Sequence, residues 1–253
     1  MLADALATGT LNEVVEVAAP GGCMPLFLCS PEGEGPFPAV LVLTDPFGVN
    51  AHVRSVARRL ASAGYVAAAP DLYYRQEQRN IPYASPDRAA DRVMRTIALG
   101  EAPEERVKDD RVFADICAAF AALEAHPRVA PDQVAALGFC MGARLAFLAS
   151  CRLSDSLRAV VCYYPLSILP ILSEARELRA PLLLFFGGRD RDVPLTHVDR
   201  IQAELGYLGK SHEVKVYPGA EHGFFCDERP SYHADAASDA WSLTLIWLDK
   251  HLR

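Results

Sequence analysis

Gly138-Phe139-Cys140-Met141-Gly142 is the stretch whose reading decides the fold. A strand-like run, Val134-Ala135-Ala136-Leu137, leads into it, and a helix-like run, Ala143-Arg144-Leu145-Ala146-Phe147-Leu148-Ala149, leads out. A side chain placed on a sharp strand-to-helix turn sits in strained backbone. Flanking glycines remove the Cβ atoms that would collide with the strand or block approach to it. The same turn puts the Cys140 sulfur at a helix N-terminus, where unpaired N–H groups and the helix dipole favour a thiolate. Packing alone also produces a buried cysteine between glycines, so the rest of the chain has to decide between the two readings.

Outward from this turn, short apolar runs bounded by Gly and Pro alternate with amphipathic ones. Phe37 to Thr44 reads as a strand ending at the turn Asp45-Pro46-Phe47-Gly48, and 50–63 as a helix stopped by Gly64. Strands are expected at 65–69, 133–139, 158–164, 181–186 and 213–217. Helices are expected at 112–123, 141–150, 195–208 and 232–252, with an entry hairpin over 11–17 and 25–29. That alternation predicts an α/β fold with a mostly parallel sheet of about eight strands and helices on both faces. The charged run from Arg75 to Asp110 breaks the rhythm and contains Pro82, Pro86, Gly100 and Pro103. It reads as an insertion over the sheet edge, a candidate lid or pocket wall within a single domain spanning 1–253.

Composition excludes several classes. The 253 residues are 51% hydrophobic and 23% charged, ordinary for a protein with a large core. A net charge of −7 disfavours nonspecific binding to nucleic acid or anionic membranes. Met1 to Leu6 lacks the features of a signal peptide, and the apolar stretch 159–172 is broken by Pro165, Ser167 and Pro170. Seven scattered cysteines without zinc-like spacing suggest reduced thiols and a cytoplasmic protein. The state expected is a monomer or small homo-oligomer acting on a small molecule.

A nucleophile needs a base and an acid to orient it. In α/β-hydrolases, which the opening turn resembles with cysteine in place of serine, these follow in the order nucleophile, acid, histidine at strand ends. After the strand at 182–186 comes Gly187-Gly188-Arg189-Asp190-Arg191-Asp192-Val193-Pro194. After the strand at 213–217 comes Pro218-Gly219-Ala220-Glu221-His222-Gly223-Phe224. A Cys140–His222–Asp190 triad is the expectation. Asp192 is the rival acid and is expected instead to cap the next helix.

Together with Pro70-Asp71-Leu72-Tyr73 and His222-Gly223-Phe224, these motifs resemble the dienelactone hydrolase (carboxymethylenebutenolidase) family from about Phe37 to the C-terminus. The resemblance implies an α/β-hydrolase whose thiol attacks an ester or enol-lactone carbonyl, with no metal and no organic cofactor. It also implies a buried carboxylate that takes up the thiol proton, a glutamate in the family. Here that position is Asp45, one methylene or about 1.5 Å shorter. The family's second oxyanion donor is the next backbone N–H, but Pro46 has none. Met141 N–H would then share the oxyanion hole with Phe47 N–H. The family's arginine clamp for a substrate carboxylate falls on Cys226, leaving Arg75, Arg88, Arg92 or Arg144 as substitutes, of which Arg144 is the one adopted here. Tyr73, Tyr164, Phe224 and Phe225 are expected to wall the pocket.

The chemistry expected is acyl transfer to water through a thioester on Cys140. The alternatives are a thiol-dependent lyase or cyclase on the same scaffold, a weakly catalytic ligand-binding protein, or redox sensing by the thiol.

Overall fold

In a computed structural model, residues 9–100 and 102–253 are described. The reading of Met1 to Leu6 lies outside them. The chain enters as a hairpin of β1 (Thr10–Ala19) and β2 (Gly22–Pro31), each somewhat longer than the alternation of the sequence suggests. Then follow β3 (Phe37–Leu43), α1 (Ala51–Ser62), β4 (Val66–Pro70), α2 (Pro86–Thr96) and α3 (Pro103–Glu124). The second half runs β5 (Val129–Phe139), α4 (Met141–Arg152), β6 (Ala159–Tyr163), β7 (Leu182–Gly187), α5 (Leu195–Tyr207), β8 (His212–Tyr217) and α6 (Ala234–Leu252).

All eight strands form one sheet in the order β1-β2-β4-β3-β5-β6-β7-β8. β2 pairs antiparallel with both β1 and β4, and every other neighbouring pair is parallel. The central strands β4, β6 and β7 are buried at every position, so both faces of the sheet are covered. The edge strand β8 alternates instead. Asn50 caps α1 by accepting from Val53 N–H at 3.1 Å, which is why the helix starts where the loop after β3 ends.

Three departures from the sequence reading have local causes. The α3 helix begins at Pro103 rather than at 112, whereas α2 falls within the stretch read as an insertion of loops and helices. Proline is favoured at the first helical position, and the charged first turn there hides an otherwise ordinary start. A 3-10 run at Leu169–Glu177 begins at the end of the Pro-broken apolar stretch. Finally, β5 extends back to Val129 through a register shift against β3 between Phe37 and Ala39. No helix among the described residues is long and apolar enough to cross a membrane.

Candidate active site

The loops after β3, β5, β7 and β8 all leave the carboxyl ends of parallel strands, the usual place for a site in such a sheet. Cys140 is buried at the β5–α4 turn with φ 54° and ψ −117°, a conformation that costs about 1–3 kcal/mol for a residue with a Cβ. Both flanking glycines are obligatory here. A Cβ on Gly138 would stand 2.2 Å from Gly142 O, and one on Gly142 would stand 2.1 Å from Leu43 O. The strained turn is held by Cys140 N–H donating to Tyr163 O at 3.0 Å and by Cys140 O accepting from the N–H groups of Ala143, Arg144 and Leu166. Met141 N–H, the first of α4, donates to no group among the described residues.

His222 and Asp190 meet from two loops. His222 Nδ1 lies 2.8 Å from Asp190 Oδ2, while Asp190 Oδ1 accepts from the N–H groups of Asp192 at 2.8 Å and Val193 at 2.9 Å. The acid is therefore fixed by its own turn before it touches the imidazole. Asp192 Oδ2 stands 4.0 Å from Nδ1 with its side chain 61% exposed. The expectation that Asp192 caps the next helix is corrected, because α5 starts at Leu195 with Pro194 at the cap position and no side-chain cap. Burial opposes a charge on His222, but the Cys140 sulfur beside it and the bond to Asp190 outweigh burial and push the imidazole up to about 10. His222 Nε2 is buried and has no hydrogen-bond partner of good geometry.

Asp45 is buried in the turn after β3, and burial pushes its carboxyl up to about 6 against the pull of Phe47 N–H, Arg229, His222 and Arg92. The Phe47 N–H expected in the oxyanion hole has a partner in this structure. That N–H donates to Asp45 Oδ1 at 3.0 Å, because a carboxylate two residues back closes an Asx turn on it.

None of the four arginines offered as a clamp is free. Arg75 forks onto Asp115 at 2.6 and 2.8 Å, Arg88 binds Gln78, and Arg92 binds three carbonyls. Arg144 is 0% exposed and forks onto Asp109 at 2.7 and 2.9 Å, with further bonds to Ala98 O and Ser167 O. Its assignment to substrate is therefore corrected: α4 is buried almost throughout, so its arginine must find its partner inside. Arg144→Met, which strands the Asp109 carboxylate, is expected to cost about 3–5 kcal/mol. Urea unfolding measures this, and a loss below about 1 kcal/mol would contradict it.

The residue that the sequence reading missed is Arg229. An open cleft of about 530 Å³ is bordered by His222, Arg229, Tyr83, Arg189 and Arg191. The Arg229 guanidinium has no carboxylate at ion-pair distance among the described residues and lies 5.6 Å from the centre of the Phe47 ring. Only its place three residues past Cys226 could have signalled it.

The aromatic residues expected as walls lie deeper than this cleft, as Cys140 does. Tyr73, Tyr164 and Phe224 are all buried and none borders this cleft. Tyr164 meets His222 edge to face with ring centres 5.0 Å apart, Phe224 meets Tyr164 in the same way, and Phe225 stacks on Phe139. Tyr83, from the 75–110 stretch, borders the cleft instead and is held by Asn50 Nδ2 at 2.8 Å. Two groups of ligand-type atoms lie within 4.8 Å of one another: Asp190 with Asp192 and His222, and His52 with Cys226 and Asp227.

A model of the dienelactone hydrolase family matches residues 24–252. The chain is similar to a Synechocystis sp. protein assigned as a carboxymethylenebutenolidase, with 32% identity over 223 residues, 85% of this chain and 87% of the relative. It is also similar to a structure from Klebsiella pneumoniae assigned as a dienelactone hydrolase. The two share 28% identity at a TM-score of 0.81, over 96% of this chain and 100% of that one. A dienelactone hydrolase-like promiscuous phosphotriesterase from metagenomic libraries has the same fold, with a TM-score of 0.82 at 22% identity over 97% of this chain and 100% of that one.

Proposed function

Because the chain belongs to the dienelactone hydrolase family and is a dienelactone hydrolase-like hydrolase, we propose that it cleaves a carboxylate-bearing ester or enol-lactone through a thioester on Cys140. The observation that carries this reading is the Cys140–His222–Asp190 array, in which a histidine already bound to a buried acid is raised by the sulfur beside it.

In the first half-reaction the Cys140 thiol gives its proton to His222, the sulfur attacks the carbonyl carbon, and the carbonyl oxygen takes the negative charge against Met141 N–H. The C–O bond then breaks, and the His222 imidazolium gives its proton to the departing oxygen. Acylation removes the negative charge from the sulfur, and with it one of the influences that raise His222. Burial then pulls the imidazole down, so it can take a proton from water. That water adds to the thioester, the acid leaves, and the thiolate returns. Asp190 keeps the imidazole in one orientation throughout.

Arg229 defines the substrate class. A half-buried guanidinium beside the catalytic histidine, with no carboxylate at ion-pair distance among the described residues although Asp192 and Glu221 border the same cleft, offers a fork for a substrate carboxylate. It takes the place of the arginine that the family positions at 226. Arg229→Met is expected to raise KM for an activated ester with a distal carboxylate by about 10- to 100-fold. The same variant should leave kcat for the neutral methyl ester within about twofold of wild type. Steady-state assays on the matched pair check this. Equal effects on both esters would remove the clamp, and failure of the wild type to hydrolyse esters and lactones alike would remove the function.

A further inference from the structure

Pro46 lacks the backbone donor that the family places at this position, and the nearest N–H, that of Phe47, is held by Asp45. The peptide between them is fixed from its other side by Arg92 of α2. This guanidinium is only 4% exposed and has no carboxylate at ion-pair distance among the described residues. Its Nη1 donates to Pro46 O at 2.8 Å and Arg79 O at 2.9 Å, and its Nη2 to Gln78 O at 2.5 Å. The group lies 4.0 Å from the centre of the Tyr73 ring, and the Tyr73 hydroxyl donates to Asp45 O at 3.2 Å. Burying a guanidinium on neutral carbonyls is costly, and Arg92 Nε is left without a partner. Stability alone is a poor reason for such a residue.

Geometry supplies a better one. The 46–47 peptide is trans, so its carbonyl and its N–H point in opposite directions. With the carbonyl pinned on Arg92, the N–H must face the side where Asp45 sits. That side is the elbow side: Gly142 packs against Leu43 O and Thr44 O, and the Asp45 carboxyl lies within the electrostatic reach of His222 and Arg229. Ile81 N–H donates to Phe47 O at 3.1 Å and closes the other end of the same loop.

Building on acyl transfer at Cys140, we infer that Arg92 is a positioning residue that aims the Phe47 N–H at the substrate carbonyl oxygen. This N–H replaces the donor missing at Pro46 once Asp45 releases it. A buried carboxyl raised toward neutrality is easily protonated, and a protonated carboxyl is a poorer acceptor for the N–H.

The test separates chemistry that builds an oxyanion from chemistry that does not. The burst of p-nitrophenol from p-nitrophenyl acetate reports acylation. Alkylation of Cys140 by iodoacetamide is displacement at a saturated carbon and forms no oxyanion. Arg92→Met is expected to slow the burst by about 10²-fold and to leave alkylation within about twofold. Adding Pro46→Ala, which restores an N–H at the vacant position, is expected to recover about tenfold of the burst rate. An unchanged burst in folded Arg92→Met, an equal fall in burst and alkylation, or no recovery with Pro46→Ala would each overturn the role of Arg92. Should Arg92→Met fail to fold, Arg92→Lys carries the same test, because a single ammonium nitrogen lacks the rigid planar fork that reaches these carbonyls from two separate nitrogens. A burst about fivefold slower with alkylation unchanged supports the role, and an unchanged burst overturns it. A wild-type burst that survives complete alkylation of Cys140 would instead defeat acyl transfer itself.

Discussion

Cys140→Ala is expected to lower kcat/KM on activated esters by about 10⁴- to 10⁶-fold while the protein stays folded. The sulfur is the one group at the elbow that can bond to a carbonyl carbon, and water cannot replace it in a position only 7% exposed. The loss has a second component. His222 is raised in part by that sulfur, so its removal returns the imidazole toward the pull of burial. Serine at 140 keeps an oxygen that can attack a carbonyl, but its hydroxyl gives up a proton far less readily than a thiol. Cys140→Ser is therefore expected to fall between alanine and wild type. Steady-state kinetics with circular dichroism as the folding control decide the matter. A folded alanine variant within about tenfold of wild type would move the nucleophile elsewhere.

Asp190→Asn is expected to cost about 10³- to 10⁴-fold in kcat with little change in the unfolding midpoint. The asymmetry of the acid explains both halves of that statement. Oδ1 accepts from the N–H groups of Asp192 and Val193, and the amide oxygen of asparagine can continue to do so, preserving the turn. Oδ2 becomes an NH₂ group, which cannot accept from His222 Nδ1–H. The imidazole must then present Nδ1 as acceptor and carry its proton on Nε2, the wrong tautomer for a base. Asp192→Asn is the control. Its carboxylate is exposed and 4.0 Å from the ring nitrogen, so a loss below about threefold is expected. Kinetic losses of similar size in the two variants would show that the acid has been misassigned.

Local rules in the sequence carried much of this. The turn at Cys140 was legible because two glycines and a strand-to-helix change fall within five residues. The loops carrying Asp190 and His222 were legible because Gly and Pro mark strand ends. The eight-stranded sheet follows from the same punctuation. What escaped were pairings across long stretches of chain. Arg144 and Asp109 stand 35 residues apart, and nothing in either segment announces a fully buried pair. Arg92 reaches back 46 residues to a carbonyl, a group every residue owns and no sequence pattern marks. The bond from Phe47 N–H to Asp45 is local, yet choosing an Asx turn over an open donor depends on how the loop is caged by 78–81 and by Tyr73. Arg229 was hidden by its place in a polar loop, where an arginine is ordinarily a solvated surface group.

The central claim is a covalent acyl bond on the Cys140 sulfur, and one measurement addresses it directly. The enzyme is mixed with a slowly deacylating ester, quenched in acid within the burst, digested and analysed by mass spectrometry. The acyl mass is expected on the peptide containing Cys140, in an amount that matches the burst and is discharged by neutral hydroxylamine. An acyl group on another residue, or product formed with no acylated peptide at any quench time, would contradict the account.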